Sequence, residues 1–183
     1  MGKSTTADLF REFGVAVHDS DACVHELYRG VAAPLVEEAF PGATRNGEVD
    51  RALLAPLVLG KPEALKKLEA IIHPLVAGSR AAFADKQKRA GSNVVVFDIP
   101  LLFETGGSDA ASLIVVVSAG EQLQRQRVLA RPGMTEEKFK AILARQMPDG
   151  EKRRRAHWII DTSHSVEHAR KQVEQFLRAI KTI

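Results

Sequence analysis

Four short apolar runs rich in β-branched residues stand out along the chain, at 14–18, 93–99, 113–118 and 157–160. Runs of this length, apolar at consecutive positions, fit strands buried on both faces of a parallel sheet. Between them the spacing changes to three and four. Leu9, Phe10 and Phe13, then Leu65, Leu68, Ile71 and Ile72, then Val173, Phe176, Leu177 and Ile180 predict amphipathic helices that cover the sheet. The last helix is expected over 166–182, with Ser165 as its N-cap and Glu167 in its first turn. About seventy residues separate the first two strands, far more than a simple crossover uses, so an inserted helical subdomain is predicted. Pro34, Pro41-Gly42, Asn46-Gly47, Gly60 with Pro62, and Pro74 are expected to break that insert into several short helices.

Composition changes this picture little. The chain has 183 residues, 45% hydrophobic and 27% charged, which suits one α/β unit with a small appendage. A net charge of +3 and a pI near 9.1 favour a phosphate-rich small molecule as partner and do not require nucleic acid. The run Lys152 to Arg155 has no interleaved aromatics and is expected to be a solvated helix end. Cys23 is the only cysteine, so no intrachain disulfide can form, and it is expected as a small buried hydrophobe in a reducing compartment. No stretch reaches the ~20 apolar residues of a membrane span, and the start lacks a signal-peptide layout, so a cytoplasmic protein without a membrane partner is expected.

Chemistry enters at the start of the chain. Met1-Gly2-Lys3-Ser4-Thr5 reads as the second half of G-x-x-x-x-G-K-[ST], in which backbone N–H groups at a helix start cradle phosphate. Gly2 would permit close backbone approach, Lys3 would reach the β and γ phosphates of ATP, and Ser4 would ligate Mg²⁺. Alone, the tetrapeptide is equally an ordinary helix start. The helix that follows leads into a strand ending in Asp19-Ser20-Asp21, and acids at the carboxyl end of a parallel strand lie where open α/β sheets bind ligands. Asp21 is the candidate for orienting an acceptor hydroxyl and taking its proton, with capping left to Asp19 or Ser20. Asp98 ends the most apolar strand, where it would hold a water on Mg²⁺ or orient the acceptor. Pro100 cannot extend a central ladder, so Pro100, Leu101, Leu102 and Phe103 read as a substrate-facing wall. Glu104 would contact substrate or cap a local turn. Arg127 and Arg131, four apart, are expected on one face of a helix that leads into Pro132-Gly133, either as a solvated basic face or with Arg131 as the candidate for meeting the transferring phosphoryl when a lid closes.

In order and spacing, D-S-D-A-x-x-H-E-L, then I-I-H-P-L-V, then V-V-V-F-D-I-P-L-L-F-E-T-G resemble the dephospho-CoA kinase family. Q-x-x-R-x-x-x-R at Gln124, Arg127 and Arg131, the P-G-M-T-E-E segment, A-R-Q-M-P at 144–148 and I-I-D-T-S at 159–163 extend the match nearly to the end of the chain. The resemblance implies a P-loop NTPase-type α/β fold of three layers with a parallel sheet, forming a single kinase domain. Its core would be 1–22, 92–130 and 156–183, its helical substrate insert about 23–91 and its lid about 131–155. It also implies ATP-dependent phosphorylation of the ribose 3′-hydroxyl of dephospho-CoA, the last step of CoA synthesis. Asp21 would be the catalytic acid residue, and the helices around His73 and Pro74 would help receive the acceptor. By residues alone, His73 is equally a helix-end histidine. One departure is that Val76-Ala77-Gly78-Ser79 follows H-P-L where the family often has a basic residue, and Arg80 lies a turn further on. Another small-metabolite P-loop kinase of the nucleoside monophosphate type, or a non-catalytic nucleotide-binding module, are the alternatives that assays must separate.

The first half of the loop and the strand before it are absent from the sequence, about ten residues for a typical strand plus loop. Met1 is therefore expected to be an internal methionine of a longer protein, and the chain as written is expected to be unstable or inactive. An intact mass matching the written chain, with full activity, would contradict this.

Overall fold

The computed structural model describes residues 2–180, except for the side chains of 109 and 110. In chain order the elements are α1 (Lys3–Glu12), β1 (Ala16–Asp19), α2 (Ser20–Arg29), α3 (Ala32–Ala39), β2 (Thr44–Arg45), β3 (Glu48–Val49), α4 (Arg51–Val58) and α5 (Pro62–Arg89). They continue with β4 (Val95–Asp98), a short 3₁₀ turn, β5 (Val115–Ser118), α6 (Glu121–Leu129), α7 (Glu136–Leu143), α8 (Asp149–Arg155), β6 (Trp158–Asp161) and α9 (Val166–Ile180). Residues cluster into two compact units, Met1–Val15 with Pro100–Ile183, and Ala16–Ile99.

In the first unit β5 and β6 pair in parallel, with Val115 opposite Trp158 and Ser118 opposite Asp161. α1 lies against α9, where Phe10 meets Phe176 edge to face at 6.0 Å, and Leu9 and Val173 are almost fully enclosed. Ser165 caps α9 as expected, accepting from His168 N at 3.1 Å, although the expected end at 182 lies outside the described residues. α1 stops in a Schellman turn. Gly14, at φ +78, donates to Arg11, and Val15 donates back to Phe10, so the strand expected from 14 begins only at Ala16.

In the second unit β1 and β4 pair in parallel, from Ala16 opposite Val95 to Asp19 opposite Asp98. Helices α2 to α5 build a core from Ala32, Val36, Phe40, Leu54, Val58, Leu68 and Ile72. The insert is less broken than its prolines predict. α5 runs for 28 residues straight through Pro74. A proline there removes one ladder bond at a cost of about 3 kcal/mol, but the apolar face continues across it through Leu68, Ile71, Ile72, Leu75 and Val76. Pro34 stands in the first turn of α3, where its missing N–H has no helical partner to lose. Asn46-Gly47 does more than interrupt. With φ of 54° and 81° it turns the β2–β3 hairpin, which pairs Thr44 with Val49. Among the described residues, no helix is long and apolar enough to cross a membrane.

Candidate functional site

α1 starts on Gly2, held at φ 87° and ψ 14°, with no side chain capping the helix and no acid in its first turn. The carbonyl of Gly2 accepts from Thr6 N at 2.9 Å and Thr6 Oγ1 at 3.0 Å, which closes the first turn while leaving the leading N–H groups outward. Gly2 is required twice. Its positive φ disfavours any side chain, and a Cβ would stand 3.3 Å from the Cβ, Cγ2 and Oγ1 atoms of buried Thr162. Thr162, just past β6, is fixed by bonds from its N and Oγ1 to the Ser118 carbonyl at 2.7 and 3.1 Å. The helix start is thereby set at the carboxyl end of β5 and β6. Lys3 is half-buried in that first turn, and Ser4 and Thr5 are exposed.

The segment expected as a lid follows α6. That helix ends at Leu129, so Arg131 lies beyond its Ala130 cap instead of continuing the helical face of Arg127. The ladder tightens there as Arg131 N donates to Val128, and Arg131 O accepts from Met134 N across Gly133 at φ 72°. Arg131 is exposed and Arg127 half-buried. A bidentate pair between Arg125 and Glu136, at 3.1 and 2.7 Å, fastens α6 to α7.

Pro100 and Leu101 are exposed at the start of the turn after β4, and Thr105 closes that turn through its N and Oγ1 on the Leu101 carbonyl. The ladder of β4 ends at Asp98, before Pro100. Glu104 reaches across to the last elements of the unit, where its Oε1 accepts from Met147 N at 2.8 Å and Lys152 Nζ at 2.7 Å. Burial would raise its carboxyl, but the bonds from Lys152 and Met147 outweigh this and hold it below its ordinary value. Lys152 is thus an enclosed ion-pair partner and departs from the solvated run expected at 152–155, while Arg153, Arg154 and Arg155 are exposed. A basic run gives no sequence signal for which member turns inward.

In the second unit the parallel register sets Asp19 beside Asp98 at the carboxyl ends of β1 and β4. Asp19 is the N-cap of α2, its Oδ1 accepting from Asp21 N at 2.9 Å and Ala22 N at 3.0 Å. Asp21 is left exposed in the first turn of α2, and Asp98 is buried. His73 and Pro74 lie mid-helix on the exposed face of α5, so His73 does not end a helix. A cleft of about 570 Å³ opens beside β1, lined by Val17, Asp19, Cys23, Leu27, Val31 and Phe83 among others. Cys23 lines this cleft half-buried, where a fully enclosed side chain was expected. His18, not singled out by sequence, forms the cleft floor with Nε2 3.1 Å from Ser79 Oγ and its ring edge-on to Phe83 and Phe97. Desolvation, then the nearby Arg80 charge, lower its pKa. Sequence reasoning had no signal for a contact across this separation.

A family model for dephospho-CoA kinase matches residues 1–168. Over 181 residues, covering 99% of this chain and 92% of the relative, the chain is 59% identical to a dephospho-CoA kinase of Mesorhizobium japonicum. A Rhodopseudomonas palustris dephospho-CoA kinase is 52% identical across 98% of this chain and 90% of its own. Among solved structures, one from Thermus thermophilus aligns with TM-score 0.83 at 35% identity, covering 97% of this chain and 91% of that one. A dephospho-CoA kinase from Campylobacter jejuni shares the fold at TM-score 0.67 and 22% identity.

Proposed function

The chain belongs to the dephospho-CoA kinase family, and on that footing we propose that it transfers the γ-phosphoryl group of ATP to the ribose 3′-hydroxyl of dephospho-CoA, giving CoA and ADP. Two observations support the residue assignment, each within its own unit: the G-K-S-T helix start has no side-chain cap, and Asp19 and Asp98 are in register at the ends of β1 and β4. Phosphoryl transfer needs little covalent chemistry from the protein and depends on positioning and charge. Gly2, Lys3, Ser4 and Thr5 bind ATP phosphates through the first turn of α1, with Lys3 as the cation on the β and γ groups. Asp21 orients the acceptor hydroxyl and takes its proton as the new P–O bond forms. Arg127 from the last turn of α6 and Arg131 from the start of the lid supply positive charge, Arg131 to the transferring group.

Mg²⁺ is expected with ATP, and the exposed Ser4 hydroxyl and the Asp98 carboxylate are hard oxygens of the kind it takes. When bound, it neutralises charge on the β and γ phosphates. His73, Pro74, Asp98, Pro100 and Leu101 are assigned to dephospho-CoA, and the cleft beside Leu27, Val31 and Phe83 suits its neutral pantetheine arm. The organisation follows as a single domain with an acceptor insert at 23–91 and a lid at 131–155, working in the cytoplasm without nucleic acid.

A coupled ADP-release assay with Mg²⁺ and ATP, run on the protein as its native source makes it, tests the function. Turnover with dephospho-CoA and none with nucleoside monophosphates is expected. The reverse preference, or ATP binding without transfer, would overturn it.

A further inference from the structure

The Glu104–Lys152 pair differs from the ion pairs on the surface. Both side chains are only 14% exposed, whereas in pairs such as Arg11–Asp8 and Arg178–Glu174 one partner is 64% or 77% exposed. Surface pairs contribute little. An enclosed pair gains little over apolar packing, and its best use is to fix geometry. Here the geometry is that of the connector between α7 and α8. Glu104 holds it at Met147 N and holds α8 at Lys152. Asp149, the first residue of α8, is held separately by Ser118 Oγ at 2.7 Å. Ser118 is also the residue whose carbonyl fixes Thr162 against Gly2. Two sets of polar contacts, joined through the backbone of 147–152, therefore hold the connector to the end of β5, where Thr162 packs against the start of α1. Immediately before the pinned Met147 stand Gln146 and the exposed cation Arg145.

We propose that Glu104 is a positioning residue: paired with Lys152, it sets the 144–148 connector so that Arg145 and Gln146 meet the phosphates of ATP, and it does not itself contact dephospho-CoA. The proposal rests on the reading of the protein as an ATP-dependent kinase. It replaces the two roles that sequence leaves open for Glu104. The pair need not be charged to fold if both members are neutralised together, because no unpaired buried charge then remains.

The test uses Glu104→Gln, Lys152→Met and the double variant, with ATP affinity read by titration calorimetry and both KM values by steady-state assay. All three should bind ATP about 10-fold more weakly, equivalent to about 1.4 kcal/mol. The KM for dephospho-CoA should stay within about 2-fold, and the double variant should be no worse than the singles, as expected for residues acting as one unit. Arg145→Ala should weaken ATP similarly and add nothing further in the Glu104→Gln background. If either single variant fails to fold, the double variant gives the same readouts. A raised KM for dephospho-CoA in Glu104→Gln with intact ATP affinity would make Glu104 a substrate contact and overturn the proposal. A lowered Tm with every constant retained would reduce it to a structural pair and also overturn it. Calorimetry needs no transfer, so an absence of activity toward dephospho-CoA would count against the proposed function and leave this result readable.

Discussion

The starts of α1 and α2 are built from opposite charges. At α1 the leading residue is a left-handed glycine, no side chain caps the helix, and Lys3 supplies a positive charge. At α2 the same backbone donors are taken by the protein's own carboxylate, since Asp19 accepts from both Asp21 N and Ala22 N, and a second acid follows in the first turn. Every helix start carries partial positive charge and outward N–H groups. What differs is who answers them. α4 is capped in the same manner by Asp50, on Ala52 N and Leu53 N, whereas α7 uses Thr135 and α9 Ser165. A start answered by protein carboxylates cannot also take phosphate, but it can present an acid such as Asp21 to a hydroxyl. A start with a glycine and a lysine can take phosphate.

The sharpest way to break this contrast is to remove one carboxylate from α2. Asp21→Asn should lower kcat by about 10² or more, the range for a positioned acid or base, and leave ATP affinity unchanged. Wild-type turnover would remove Asp21 from the role. Next in size, Gly2→Ala forces a side chain to φ 87° and into contact with Thr162, and strain of about 1–2 kcal/mol should appear as roughly tenfold weaker ATP binding in a titration. Asp19→Ala should act on folding, with loss of a cap costing about 1 kcal/mol and lowering Tm by about 2–4 °C for a chain of this size, as thermal unfolding would report.

The smallest effect concerns His18, which floors the cleft behind α2. Its folded pKa lies below the ordinary 6.5, so below that pH the unfolded chain binds more protons. Stability is full above about 6.5 and declines as the pH falls from there through the lowered folded value. Denaturant titrations in this window should show the slope in the wild type and its loss in His18→Gln.

Much of this was legible in sequence because it is local. The strands around Val96, Val116 and Ile160 declare themselves as apolar runs, and the G-K-S-T and D-S-D segments sit where helix and strand ends were expected. What was missed depends on distance or on competition between terms. Pro74 signals a break, yet the apolar face from Leu68 to Val76 outweighs one lost bond. Arg131 matches Arg127 in spacing, yet the helix ends between them. Lys152 is one of four consecutive cations, and only the approach of Glu104, remote in sequence, turns it inward.

The central claim is that α1 holds the nucleotide while the acid beside the α2 cap serves the acceptor. Titration of ATP into wild type, Gly2→Ala and Asp21→Asn, under identical conditions, tests it most directly. The account predicts weaker binding in Gly2→Ala and wild-type binding in Asp21→Asn. Unchanged binding in Gly2→Ala together with weakened binding in Asp21→Asn would contradict it.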